Sequence, residues 1–457
     1  MTDMKNARVV DTAITGADVC CMDPECRVLR DATVLINNGE IVDITKEPFQ
    51  ARAIHDAKGG LLLPGFVDPH VHALPLLLRG LSQDLGLAQW LSTVIYPGLL
   101  EFSEDDAHLA ASLFAAEALR SGITTIGDST DMAIRRMLVD GSLAAYDEIG
   151  IRAVFFRTFS DQPPENLKVN RESVTDALEH TDELIRKNSN HSRISIGVGL
   201  NEVKSVTPGA ISTMLDYAAQ RQIPMMGHCA EIADDYLFDG ESVIVWLERQ
   251  GLLRPPLSLN HCVHLTTEDS FILASRGVGM TWQPSTNSVL ADGIAPAAAL
   301  LAAGVIMGLG TDDSNLNDRV DMFSEMRTAA LTARLREGRS DAITSETILH
   351  MATIGGAKIL GMDKKIGSIE IGKRADIVLI DREAMEPVSH LPSALVYQTC
   401  PSMVRSVWVE GRLVVDDGKV LTIDEPSLRR RASVSAAEIR TRSGLQNLLS
   451  ERAWGAV

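Results

Sequence analysis

The middle of the chain alternates short, almost wholly apolar runs with longer stretches whose apolar positions recur every three to four residues. The apolar runs cover residues 61–69, 123–128, 153–158, 194–200, 224–228, 257–263, 278–283 and 305–311. Runs this short, without polar alternation, predict strands buried on both faces. The stretches between them, such as 104–120, 174–187, 208–221 and 321–335, predict amphipathic helices. Eight strands in strand–helix order predict an α/β fold, a closed (β/α)8 TIM barrel over residues 61–363 rather than an open doubly wound sheet. No Gly-x-Gly-x-x-Gly follows an early strand, so a dinucleotide-binding fold has no support.

Both ends of the chain carry a different pattern. Short strands with turn signals are expected at 9–14, 17–22, 32–36 and 41–44, with Asn37-Asn38-Gly39-Glu40 as a hairpin turn. Similar material returns at 375–380, 404–409 and 413–415, and the tail beyond Pro426 reads as charged helix. These ends predict a small composite β-sandwich domain formed by residues 1–60 and 364–457, with a C-terminal helical tail.

Charge narrows the range of partners. The chain carries 43 basic and 61 acidic residues, a net charge of -18, which disfavours phosphate backbones and anionic lipid surfaces. No nucleic-acid or membrane partner is therefore expected. The polar first residues and the lack of an apolar run of the ~18 residues needed to span a bilayer predict a cytoplasmic protein. Six cysteines in 457 residues make no disulfide framework. Cys20, Cys21 and Cys26 lack a second pair at finger-like spacing, and strand packing is the expected role of all three.

Candidate chemistry lies at the strand ends, because barrel active sites are built there. The first strand ends in His70-Val71-His72, whose alternate positions face the same side. The fifth ends in His228, the sixth in His261 and the eighth in Asp312. Four of the chain's 11 histidines thus fall at predicted strand ends, converging with a carboxylate on one mouth. Imidazole nitrogens plus one carboxylate suit a divalent transition metal, Zn2+ or Fe2+, with a position left for water. A metal lowers the pKa of its water to about 7, and catalysis then needs a base for that proton and an acid for the leaving group. Asp312 can serve as both ligand and base, and Glu231, three residues past His228, as acid. Lys204 falls several residues too late to bridge a second ion, so a single metal is expected.

Each residue taken alone has a structural reading. Glu231 equally suits a helix N-terminus, His261 a hydrogen-bonded core histidine, and Asp312-Asp313 a turn after Gly310-Thr311. His264 is read as structural. Only their joint placement favours a metal site. Trp90 and Trp282 read either as stacking surfaces for a flat heterocycle or as barrel-wall packing.

The segments Pro64-Gly65-Phe66 through His70-Val71-His72, His228-Cys229-Ala230-Glu231, His261-Cys262-Val263 and Gly310-Thr311-Asp312 resemble, in order, the amidohydrolase superfamily. The closest likeness is to its nucleobase and s-triazine hydrolase branch, near the melamine deaminases and atrazine chlorohydrolases. The segments 77–80, 120–125 and 366–376 extend the resemblance over nearly the whole chain. It implies one divalent metal held by His70, His72, His228 and Asp312, and attack of metal hydroxide on an aromatic ring carbon. Glu231 would protonate the ring nitrogen, His261 would orient the hydroxide or stabilise the adduct, and Asp312 would pass the proton to the departing group. Trp90, Gln283, Asn287 and Asp313 are the expected substrate contacts. Gln283 resembles the triazine hydrolases, whereas Thr281-Trp282-Gln283 departs from the His-Cys-Pro element of purine-nucleoside deaminases and disfavours a nucleoside. Asp313 can accept hydrogen bonds from an amino leaving group, which chloride cannot donate. The expectation is a cytoplasmic, homo-oligomeric aminohydrolase acting on a small N-heterocyclic substrate of s-triazine or pyrimidine-like type. Competing readings are chloride release, amide or urea hydrolysis, and a non-catalytic scaffold on the same barrel.

Overall fold

The computed structural model describes residues 9–130, 135–163 and 171–450, so the outermost residues of the expected terminal domain lie outside the described part. Among the described residues, eight parallel strand positions form the barrel: Phe66–His72, Ile123–Ser129, Arg152–Phe159, Ile194–Leu200, Met225–Cys229, Leu257–His261, Gly279–Trp282 and a broken eighth. The eighth runs as Met307–Leu309 beside Met280–Trp282, then crosses over so that Asp312 and Asp313 pair with Val71 and His72. That crossing closes the ring. It passes through Gly310, where a Cβ would lie 2.8 Å from the carbonyl oxygen of His70.

The strands are apolar throughout because the barrel interior buries one face and the helices bury the other. The helices Glu104–Arg120, Val174–Lys187 and Pro208–Arg221 begin at Ser103, Ser173 and Thr207, whose hydroxyls accept a backbone N–H of the first turn. In the first of these, Asp106 accepts the Ser103 N–H in return, completing a capping box.

The segment 61–69 divides into two strands, contrary to the single strand its unbroken apolar character predicts. Leu61–Pro64 joins the terminal sheet, between Val10–Cys20 and Ile377–Ile380, while Phe66–His72 enters the barrel. Gly65 is the joint, and any side chain there would collide with Thr124, whose Oγ1 lies 2.0 Å from the site of a Cβ. The two predicted strands at 9–14 and 17–22 merge into Val10–Cys20, irregular between Ile14 and Val19. Its first half pairs with Ala51–Asp56, a strand the sequence reading missed, and its second with Leu61–Pro64. The terminal sheet therefore forks around its own core of residues such as Val34, Ile36, Leu62, Ile377 and Trp408. The hairpin at Asn38-Gly39 is present, with both residues at positive φ.

The C-terminal helix Glu425–Ser443 lies against the barrel helix Glu104–Arg120. Ser435 Oγ donates to Asp106 at 2.5 Å and Arg442 to the same carboxylate at 3.0 Å. Cys20 and Cys21 are buried, but Cys26 is exposed in a turn 3.7 Å from His350 Nε2, which corrects its expected packing role. No helix among the described residues is long and apolar enough to cross a membrane.

Candidate active site

The barrel carries His70, His72, His228, His261 and Asp312 to one end, as the strand count predicts. Asp312 Oδ1 lies 3.3 Å from His70 Nε2 and 3.5 Å from His72 Nε2, and the Nε2 atoms of His72 and His228 are 3.2 Å apart. The His261 ring is 5.3 Å from that of His228. His72 Nδ1 donates to the carbonyl oxygen of Ser129 at 2.8 Å, which leaves its Nε2 lone pair facing the centre.

This centre is short of hydrogen-bonding partners. Both ring nitrogens of His70 and Asp312 Oδ1 are buried and make no hydrogen bond of good geometry among the described residues. Burial pushes the His70 imidazolium down to about 3 despite Asp312 beside it, so the ring is neutral. Burial alone would raise Asp312, but the close imidazoles, His70 first and then His261 and His72, outweigh it and hold the carboxyl below the usual range. Neutral imidazole lone pairs and a carboxylate converging in a largely buried site form the donor set of a divalent transition metal. The residues present fit such an ion. Lys204, which sequence spacing placed too late to bridge a second ion, donates its ammonium to the Asp234 carbonyl.

Neighbouring groups fix the candidate ligands from behind. Thr311 donates to Asp68 through its hydroxyl at 2.6 Å and its N–H at 3.1 Å, tying the residue before Asp312 to the first strand. Asp312 and His261 both have positive φ, 60° and 67°, a strained conformation found where surrounding structure over-determines a site.

Glu231 faces the same cavity, with Oε1 3.6 Å from His261 Nδ1. Burial, then the nearby carboxylates of Asp292, Asp312, Asp235 and Asp313, hold its carboxyl well above the usual range, which favours the protonated form. Trp90 and Asp313 also line the cavity. The Trp90 indole N–H donates to Ser82 Oγ at 2.9 Å, which fixes the ring in the wall.

Two expected substrate contacts sit elsewhere. Gln283 Oε1 accepts the backbone N–H of His261 at 2.8 Å, and Asn287 Nδ2 lies 3.1 Å from His261 Nδ1. Both act on His261 rather than lining the cavity. Trp282 is fully buried in the barrel wall. Sequence reasoning missed Asn201, Glu202, Ser205 and Asp235, which line the cavity beside the fourth and fifth strands. Burial, with Asp235 next to it, pushes Glu202 up to about 8. The only advance signal was the position of Asn201 and Glu202 just past a strand end.

Residues 61–414 match the model of the amidohydrolase family. The chain belongs to the amidohydrolase family. As a member it is a hydrolase of carbon–nitrogen bonds. It is 32% identical over 441 residues to the 5-methylthioadenosine/S-adenosylhomocysteine deaminase of Syntrophobacter fumaroxidans, covering 94% of this chain and 98% of that protein. It is 30% identical over 445 residues to the 5'-deoxyadenosine deaminase of Methanosarcina mazei, covering 95% and 99%. A zinc-bound adenosine deaminase from Xanthomonas campestris superposes with a TM-score of 0.88 at 30% identity, over 95% of this chain and 100% of that one. Atrazine chlorohydrolase from Arthrobacter aurescens shares the fold at a TM-score of 0.85 and 24% identity, over 93% and 100%. The amidohydrolase family expected from the motifs is thus the right one. Both adenosine-type deaminases and triazine hydrolases share the fold, the former at the higher identities.

Proposed function

We propose that this amidohydrolase is a hydrolytic deaminase that replaces an amino group on a six-membered N-heteroaromatic ring by oxygen. The observation that carries the reading is the buried Glu231, its carboxyl raised by burial and neighbouring carboxylates, opening on the same cavity as Asp312 and the converging histidines. His70, His72, His228 and Asp312 would hold one zinc or ferrous ion, which when bound supplies a water acidified to a pKa of about 7.

The chain's own groups divide the proton work. Asp312, kept ionised, accepts the proton of the attacking water and delivers it to the departing amine. Glu231, in its neutral form, protonates the ring nitrogen next to the carbon under attack, which makes that carbon electrophilic, and takes a proton back from the added hydroxyl as the amine departs. His261 donates a hydrogen bond to the incoming oxygen. Asp313 accepts hydrogen bonds from the leaving amino group, and Trp90 forms a flat wall of the cavity. Two carboxyls pushed to opposite protonation states are what an acid and a base working at one pH require.

The ring is the finer part of the proposal. The named relatives favour a 6-aminopurine ring, while Trp282-Gln283 in place of a purine-deaminase element keeps an aminated triazine or pyrimidine as the second reading. The test is release of ammonia or alkylamine by zinc-loaded protein from adenosine-type nucleosides, aminopyrimidines and aminotriazines, with chloride followed on a chlorotriazine. Amine release from at least one ring is expected. Chloride release without amine, or turnover confined to amides and ureas, would overturn the deaminase assignment.

A further inference from the structure

His72 and His261 sit at the same barrel mouth but meet opposite partners. His72 Nδ1 faces a backbone carbonyl, that of Ser129, and must donate to it. His261 Nδ1 faces Asn287 Nδ2 at 3.1 Å. The same Asn287 Nδ2 donates to Asp292 Oδ2 at 3.4 Å, so one amide NH2 spans the carboxyl oxygen and the imidazole nitrogen. The other candidate partner of His261 Nδ1, Glu231 Oε1, is farther away, at 3.6 Å.

We propose that Asn287 is a positioning residue that sets the tautomer of His261, donating to Nδ1 so that the ring proton resides on Nε2. A ring nitrogen that carries hydrogen cannot ligate a metal but can donate to an oxygen. The two neighbours thus sort the histidines: His72 keeps a bare Nε2 as a ligand, and His261 keeps an Nε2–H as a donor. Three further features hold this arrangement. Gln283 Oε1 fixes the His261 backbone N–H, Asn287 begins its helical turn on the Gln283 carbonyl at 3.0 Å, and Asp292 N donates back to the Asn287 carbonyl at 3.0 Å. All of these groups are buried, so water does not compete for the Nδ1 position. The inference rests on reading His261 as a donor in the proposed reaction, but its main test needs no substrate.

The test is the ring 15N chemical shifts of zinc-loaded protein labelled at histidine, with His261 assigned by loss of its signals in His261→Gln. The wild type should show the protonated-nitrogen shift at Nε2 and the bare-nitrogen shift at Nδ1. Asn287→Asp, which replaces the donor by an acceptor, should move the proton to Nδ1. Asn287→Leu should leave a tautomer mixture. On an accepted substrate kcat should fall about 10- to 100-fold in both variants with KM nearly unchanged, the range seen when an orienting partner of an active-site imidazole is lost. A wild-type His261 protonated at Nδ1 would overturn the proposal, and so would an unchanged tautomer in Asn287→Asp. If neither variant folds, the wild-type spectrum still decides. If no substrate is turned over but the tautomers behave as stated, the deaminase reading fails and the role of Asn287 stands.

Discussion

Two buried clusters of charged side chains sit at opposite ends of the barrel and differ in how completely they are satisfied. At the N-terminal end of the third strand, Arg152 donates to both oxygens of Asp376 at 2.7 and 3.1 Å and to the Ser192 carbonyl at 2.9 Å. Asp376 also accepts the Glu410 N–H at 2.7 Å. That cluster joins the barrel to the terminal sheet and is complete within the protein. At the C-terminal end, His70 and Asp312 are as deeply buried, yet His70 nitrogens and Asp312 Oδ1 are left without hydrogen bonds of good geometry. A buried polar group without a partner costs about 1–3 kcal/mol, more when charged, so a fold keeps such a cluster only where something else uses it. Completeness separates a structural charge cluster from a working one.

Substitutions at the two ends should therefore fail in different ways. Asp312→Asn should remove turnover, toward the top of the about 10²- to 10⁴-fold range of acid–base groups, with little change in thermal unfolding. Chelation should do the same to the wild type, and added zinc should restore it. Substantial activity in Asp312→Asn or in fully chelated protein would place the chemistry elsewhere. Glu231→Gln should lower kcat by about 10²-fold or more within the same range, with substrate affinity largely kept. A loss confined to KM would make Glu231 a binding group only. Asp376→Asn should show the converse, a loss of about 3–5 kcal/mol of stability from an uncompensated Arg152 with the kcat of folded protein unchanged. Denaturant unfolding measured beside turnover separates the two.

The smallest effect concerns Glu325, buried beneath the mouth and accepting the Ser285 N–H at 2.9 Å. Burial raises its carboxyl to about 8. A group whose folded pKa is raised contributes its full stability below the unfolded carboxyl value, near 4.3, and loses it as pH rises through about 8. Unfolding free energy should thus fall between those pH values, and Glu325→Gln should flatten that fall by about 1 kcal/mol or more. An unchanged pH slope in the variant would show that Glu325 is ionised in the folded protein.

The barrel was legible because strands buried on both faces are written as unbroken apolar runs, and its mouth because histidines are scarce enough for their placement to carry information. The same apolar continuity hid the division at Gly65, since Leu61–Pro64 and Phe66–His72 are equally buried while belonging to different sheets. Ala51–Asp56 escaped because it is a largely exposed strand of mixed polarity. Gln283 and Asn287 were recognised as belonging to the site, but their partner could not be read. Which of two neighbouring groups an amide meets depends on how the sixth and seventh strands lie together, and no local pattern records that. Motifs along the whole chain are enough to read the family, while the branch turns on a few positions such as Gln283, and overall identity is higher to adenosine-type deaminases than to triazine hydrolases.

The central claim is that the incomplete cluster at the mouth, once filled by a metal, replaces a ring amino group with oxygen taken from water. The most direct measurement is turnover of an accepted aminated heterocycle in 18O-labelled water, with product mass, ammonia and metal content read on one sample. One labelled oxygen on the ring for each ammonia released is expected, from protein holding one metal ion per chain, with neither product formed by Asp312→Asn. Ammonia released without labelled oxygen on the ring, or equal turnover by metal-free protein, would contradict it.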